Sequence, residues 1–231
     1  MEPLARTTVV DTLERQIQQE ILTGSHQIGS LLPPERNLAE RYGVTRATLK
    51  HALGRLVGSG LLETRHGVGT RVRDYLRTGG ADLLPMLVRY APDWLHEVFE
   101  VRRTMGAVIA QRAAGHITAR QSDELQDLLA AVGAADQPAA VQLADAEVHR
   151  ALARATGNRV YLLLTNTLFN AYLPARQQLV GPFREAETAH ARLAPLVRAV
   201  CAGDTEAAAR AADAYLQETE RIMLGDLGLA R

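Results

Sequence analysis

The chain has 231 residues, 47% of them hydrophobic and 23% charged, with 26 basic side chains balanced by 26 acidic ones. That length fits one large domain or two modest ones, and the apolar content suffices for a core. No run of about 18 apolar residues exists to span a bilayer. The opening Met1-Glu2-Pro3-Leu4-Ala5-Arg6 lacks the apolar centre of a signal peptide, and the single cysteine, Cys201, forbids an intrachain disulfide, so a cytoplasmic protein without membrane association is expected.

In chain order, residues 9–22 put Leu13, Ile17 and Ile21 on one face of an amphipathic helix that Gly24 closes. A second helix starts behind Pro33 and Pro34, carries Glu35 in its first turn, repeats apolar residues at Leu38, Ala39 and Tyr42, and stops at Gly43. Thr45 then stands at an N-cap position. Leu49, Ala52, Leu53 and Leu56 recur at helical spacing, while Arg46, Thr48, Lys50 and Arg55 fall elsewhere on the surface. A helix with a polar, exposed first turn suits major-groove docking, because base edges are reached from that end. Gly54 interrupts this helix at a cost of about 1 kcal/mol relative to Ala, which close packing against a neighbouring helix would explain.

Gly58 and Gly60 end the third helix, and residues 61–64 alternate toward a strand. Arg65-His66-Gly67-Val68-Gly69 then makes a tight basic turn before Thr70-Arg71-Val72-Arg73. This order is that of a winged helix-turn-helix. Residues 31–77 hold nine basic side chains against four acidic ones, so positive charge gathers where phosphates would be met. Arginine supplies all but one of the basic residues, a compositional bias that would explain the charge alone. The coincidence of helix, turn, helix and Gly-rich basic hairpin carries the DNA-binding reading.

Residues 74–82 lose periodicity and include Gly79-Gly80, which marks a hinge and places the domain boundary between 78 and 79. Beyond it, segments 94–113, 119–132, 137–156, 160–179, 185–202 and 205–224 repeat apolar residues every three or four positions, separated by Gly-containing breaks, with Pro174 a kink or break in the fourth. The expected fold class is mainly α: a winged helix-turn-helix over residues 1–78, with a small β hairpin, then an all-α antiparallel bundle over 79–231.

The segment from Leu31 to Val72 resembles the GntR family of bacterial transcription regulators, whose pattern LPxERxLAxxxGVSRxxLRxALxxLxxxGLLxxxxGxGTxV it matches at nearly every fixed position. Gly43-Val44-Thr45-Arg46-Ala47-Thr48-Leu49-Lys50 and the pair His66-Gly67 resemble the fatty-acid-responsive FadR branch. The resemblance implies that Arg36, Thr45, Arg46, Thr48 and Lys50 meet phosphates or base edges, with His66 and Gly67 entering the minor groove. Lys50 departs from the family's usual Arg, and a point charge lacks the planar fork that grips guanine O6 and N7. Glu100-Val101-Arg102, Ala155-Thr156-Gly157-Asn158 and Ala202-Gly203-Asp204 are similar to the helical effector domain of the same branch.

Many members of that branch hold a divalent metal (zinc, nickel or manganese) through one Asp and three His, with a carboxylate effector completing the shell. Asp145 and His149, four residues apart on one helical face, match the first pair, and His190 matches a third position. The fourth is Tyr215 here. Asp145, His149 and His190 therefore leave open either a weaker metal site or a metal-free pocket that keeps Tyr215, as in acyl-CoA-binding members. Arg102 has two readings as well: a bidentate partner for an effector carboxylate or phosphate, or an ion pair with Glu97 or Glu100.

These features predict a homodimeric regulator on a pseudo-palindromic operator in double-stranded DNA. Its affinity is altered by a small acidic effector, either an acyl-CoA or fatty acid, or a small carboxylate on a metal. An enzyme is not expected, because no nucleophile, base or phosphate loop accompanies the candidate ligands. A near-neutral chain also argues against an architectural protein that binds DNA without sequence preference.

Overall fold

The computed structural model describes residues 8–91 and 93–229, except the side chains of Leu173 and Pro174. The N-terminal stretch read for a signal peptide, residues 1–6, lies outside the described residues. Two compact units divide between Ala91 and Pro92.

In the first unit, α1 (Val9–Leu22) begins at a capping box: the Thr8 hydroxyl accepts the Asp11 amide and the Asp11 carboxylate accepts the Thr8 amide. Helix α2 (Glu35–Tyr42) ends at Gly43, whose φ of 64° is left-handed and favours glycine. Helix α3 (Arg46–Gly58) is capped by the Thr45 hydroxyl, which accepts the Thr48 amide at 3.1 Å. Strands β1 (Leu62–Arg65) and β2 (Gly69–Val72) pair antiparallel, with Leu62 opposite Val72 and Arg65 opposite Gly69. The apolar positions read from the sequence meet in one core, in which Leu13, Ile17, Leu38, Leu49, Leu56, Leu62 and Val72 are all buried. Each such side chain contributes roughly 1.5–3 kcal/mol on burial, far more than helix propensity, so packing fixes how these short helices sit.

Two short helices follow, α4 (Tyr75–Thr78) and α5 (Leu84–Tyr90), with a 3₁₀ turn at Ala81–Leu83 between them. Residues 79–91 group with the first unit, because Met86 packs on its core, whereas the hinge expected at 78/79 would assign them to the second.

The second unit is a helical bundle of α6 (Trp94–His116), α7 (Ala119–Ala134), α8 (Pro138–Ala155), α9 (Arg159–Tyr172), α10 (Ala186–Cys201) and α11 (Thr205–Asp226). Helix α6 runs against α11, and α7 against α8 and α10. Gly106 permits the first of these contacts, since a methyl there would collide with Leu216. The fourth segment expected over 160–179 is shorter: α9 stops at Tyr172 and continues as a 3₁₀ turn over Leu173–Gln178, consistent with the break expected at Pro174.

Gly54 departs from its expected role. A Cβ there would meet nothing within 4 Å, so no neighbouring helix requires the glycine. Gly54→Ala should stabilise the protein by about 1 kcal/mol, read as a raised urea midpoint at unchanged slope. An unchanged or lowered midpoint would mean that α3 is not a regular exposed helix at this point.

Candidate DNA-reading face and effector site

The first turn of α3 presents Arg46 and Lys50 to solvent, and Thr48 is half-buried between them and the core. Among the described residues neither cation forms an ion pair. Arg36, also exposed, rests 3.3 Å from Glu40 on its own helix. Thr45 is committed locally: besides capping α3, its hydroxyl shares a 2.9 Å hydrogen bond with that of Thr48. His66 and Gly67 form the tip of the hairpin, where Gly67 takes φ 75° and Val68 N–H closes the turn on the Arg65 carbonyl at 3.1 Å. The structure thus places every sequence-selected DNA residue on an exposed rim of α2, α3 or the hairpin, apart from the partly covered Thr48.

Two ion-pair groups that sequence reasoning missed hold this face. Arg55 of α3 meets Asp11 at 2.6 Å and Glu14 at 2.8 Å on α1, so it is a positioning residue rather than a free cation. Glu20 accepts from the Tyr42 hydroxyl at 2.8 Å and lies 3.2 Å from His26 and 3.5 Å from Arg41, which ties α1 to α2. Burial beside that carboxylate raises the Tyr42 hydroxyl well above the ordinary tyrosine range.

In the second unit, Arg102 (α6), Asp145 and His149 (α8) and Tyr215 (α11) converge inside the bundle. Tyr215 donates its hydroxyl to Asp145 Oδ1. His149 Nε2 lies 3.7 Å from Asp145 Oδ2, too far for a hydrogen bond. Arg102 is only 6% exposed and pairs with neither Glu97 nor Glu100. One of its terminal nitrogens reaches the Thr219 hydroxyl at 3.5 Å. Burial pushes the Asp145 carboxyl up to about 6, against the Tyr215 hydrogen bond and the Arg102 and Arg192 charges. Burial, reinforced by Arg102, pulls His149 down to about 3, so its imidazole is neutral. Tyr215 is held well above 10 by burial and by the Asp145 charge.

A cavity of about 30 Å³ opens beside this group, lined by Arg102, His149 and Thr165 and otherwise by apolar side chains such as Ile109, Leu152 and Leu216. Four buried side-chain atoms among the described residues lack any hydrogen-bond partner, and three of them, Arg102 Nη2, His149 Nε2 and Thr165 Oγ1, belong to side chains of that lining. Sequence reasoning missed Thr165 and Thr219. The signal for Thr165 was a lone hydroxyl within the apolar run Leu162-Leu163-Leu164-Thr165.

The expected metal set does not assemble. Among the described residues no three His, Cys, Asp or Glu side chains converge as ligands. Asp145 and His149 do come together, but the His190 ring packs on Gly133 of α7, and Tyr215, which stands at the fourth position, is no imidazole and hydrogen-bonds Asp145 Oδ1. The donor set does not fit zinc, nickel or manganese.

An exposed helix with a polar first turn beside a glycine-tipped basic hairpin, followed by a helical bundle with a small, mostly apolar cavity, matches the architecture of a winged helix-turn-helix DNA-binding regulator. Comparison with known proteins agrees. Residues 9–72 match the bacterial regulatory proteins of the gntR family, and residues 97–218 match the FCD domain. An uncharacterised HTH-type transcriptional regulator of Mycobacterium tuberculosis is 38% identical over 96% of this chain and 93% of its own. The fatty acid metabolism regulator protein of Pectobacterium carotovorum is 33% identical over 69% of this chain and 67% of its own. Among solved structures, Lar of Listeria monocytogenes aligns at TM-score 0.55 and 15% identity over 92% of this chain and 95% of that one. E. coli McbR/YncC aligns at 0.53 and 17% over 95% and 99%, and both show the fold. The chain belongs to the gntR family and carries an FCD domain; it is a DNA-binding transcription regulator, not an enzyme. Among the described residues no helix is long and apolar enough to cross a membrane.

The buried pair makes a pH prediction with a definite sign. Asp145, raised from 3.8 to about 6, stabilises the fold below pH 4 and loses that contribution as pH rises through 6. His149, lowered from 6.5 to about 3, contributes above pH 6.5 and loses it as pH falls toward 3. Between pH 4 and 6 the two slopes oppose. Asp145→Asn removes the first, so the variant should gain about 3 kcal/mol relative to the parent between pH 4 and 7, each tenfold change in proton affinity being worth roughly 1.4 kcal/mol. Urea unfolding at both pH values measures this, and a pH-independent difference would place Asp145 in a water-like environment.

Proposed function

We propose that the protein is a homodimer whose two winged heads read a pseudo-palindromic operator, and whose helical unit takes a small free carboxylate without a resident metal. The observation that carries the effector class is that three side chains lining one cavity each hold an unpartnered polar atom: a guanidinium nitrogen, a neutral imidazole nitrogen and a hydroxyl. A carboxylate offers about four lone-pair positions, enough to accept from Arg102, from Thr165 and from His149 in its Nε2–H tautomer. Arg102 supplies the charge, and the apolar remainder of the lining disfavours a polyhydroxylated sugar acid. A fatty acyl ligand is the second reading. The Pectobacterium relative's name favours it, but a cavity of about 30 Å³ does not hold an acyl chain in its present form.

Two-fold symmetry of the operator would match the dimer, with half-sites about one helical turn apart. Arg46, Thr48 and Lys50 would face base edges, with Arg36 on a phosphate, Thr45 setting the start of α3, and His66 and Gly67 entering the minor groove. An effector that binds the DNA-competent and DNA-incompetent states unequally shifts operator affinity by its own ratio of affinities.

Two substitutions separate the parts. Arg46→Ala should weaken binding to a DNA site selected by the parent protein from a random pool by tenfold or more, leaving dimer mass and carboxylate binding unchanged. Arg102→Gln should weaken acetate and butyrate binding by tenfold or more in calorimetry while the selected DNA site is bound as before without ligand. Full operator affinity in the first variant would remove α3 as the reading helix, and full acid affinity in the second would remove the cavity as the effector site. Elemental analysis of purified protein should find no stoichiometric zinc, nickel or manganese.

A further inference from the structure

A second cavity of about 40 Å³ lies on the other side of Phe169, with Asp145, Tyr172, Phe183 and Met223 in its walls. Among the described residues Phe169 is the one side chain common to both linings. Its ring is held only by soft contacts: the Arg150 guanidinium at 5.2 Å and that of Arg102 at 6.0 Å from its centroid, the His149 ring at 6.1 Å and the Tyr172 ring edge-on at 5.8 Å. Moving the ring breaks no hydrogen bond, whereas the first cavity's other walls are packed helix core.

The charges fix which end of a ligand lies where. The three side chains with unpartnered polar atoms, Arg102, His149 and Thr165, all line the first cavity. Asp145 stands in the wall of the second, where it repels an anion; of the two guanidinium groups in that lining, that of Arg150 is engaged by Glu147 at 2.6 Å and Asn166 at 2.9 Å, and that of Arg176 belongs to an exposed residue that water solvates. A carboxylate head therefore stays beside Arg102, and a longer body extends past Phe169 toward Met223 and Phe183. At roughly 10–15 Å³ per water-sized group, the first cavity admits two or three such groups, a carboxylate with one or two carbons, and the second adds about three more.

Resting on the carboxylate reading above, we propose that Phe169 is the residue that determines effector chain length: it closes the head pocket to short acids, and its removal joins the two cavities into one site for medium-chain monocarboxylates. Calorimetric titration of the full-length protein with sodium acetate, butyrate, hexanoate and octanoate tests this for the parent, Phe169→Ala and Phe169→Leu, with folding checked by circular dichroism melting. The parent should bind acetate best. Phe169→Ala should prefer octanoate to butyrate by at least tenfold, since each buried methylene is worth about fourfold. Phe169→Leu, which keeps an apolar side chain in place, should move the optimum toward hexanoate and serves as the test if the alanine variant does not fold. The same order of acids in parent and folded variants, or octanoate binding the parent as tightly as butyrate, overturns the role of Phe169 and leaves the carboxylate site standing. No acid binding to any folded protein overturns both.

Discussion

A carboxylate sealed inside a helical bundle constrains every group around it. Asp145 is 3% exposed, and an ion so placed costs several kcal/mol unless hydrogen bonds and opposite charge offset the lost hydration. The Tyr215 hydroxyl supplies the hydrogen bond, and Arg102 and Arg192 supply the charge. That arrangement fixes the inner ends of α6, α8 and α11 relative to one another. It also leaves Arg102 half-satisfied, with one nitrogen on Thr219 and another on nothing. Three unpartnered donors at roughly 1–3 kcal/mol each represent a cost comparable with the entire net stability of an ordinary domain. A ligand that satisfied them would stabilise the native form directly.

The DNA-reading unit solves the opposite problem. Its cations must stay free, yet α3, packed through Leu49, Ala52, Leu53 and Leu56, must also be held in register. Two devices do this without using the reading face. Thr45 stops the helix at a defined residue, and Arg55, from the far side of α3, clamps to Asp11 and Glu14 of α1. Asp11 is shared between the α1 capping box and this clamp, so one carboxylate both starts the first helix and registers the third against it. Exposed ion pairs are individually weak, and the geometric consequence exceeds the energetic one: a base contact needs its side chain placed to within about half an ångström.

Much of this was legible in the sequence, and the boundary of legibility is physical. Period and punctuation located every long helix and the hairpin, because an inward-facing stripe of Leu13, Ile17 and Ile21 or of Leu49, Leu53 and Leu56 is set by local geometry. Asp145 and His149 were legible as a pair because i and i+4 share a face. What was not legible depended on which helix faces which. Thr165, Phe169 and Thr219 come from α9 and α11, and helical periodicity says that a residue points inward without naming its neighbour. Helix α5 escaped because a seven-residue stretch with Pro85 near its start is too short to show a period. Gly54 misled for a related reason: a mid-helix glycine signals close approach only if something approaches, and nothing among the described residues does.

The difference between three imidazoles around an Asp and a Tyr on the same Asp is more than the loss of one ligand. A metal bound by Asp145 would offset the carboxylate's charge and take up a lone pair of the neutral His149 imidazole. With the Tyr215 hydroxyl on Asp145 instead, the carboxylate is satisfied by a neutral donor, the imidazole is left neutral with a free nitrogen, and the only full positive charge at the cavity is Arg102. On the carboxylate reading, the site's affinity for an anion would rest on one guanidinium opposed by one nearby carboxylate. Such a balance gives weak binding to any anion that offers charge alone, and stronger binding to one whose body also fills apolar space. Selectivity is thereby transferred from coordination chemistry to shape, and the shape of this cavity is set by Ile109, Leu152, Leu216 and the ring of Phe169.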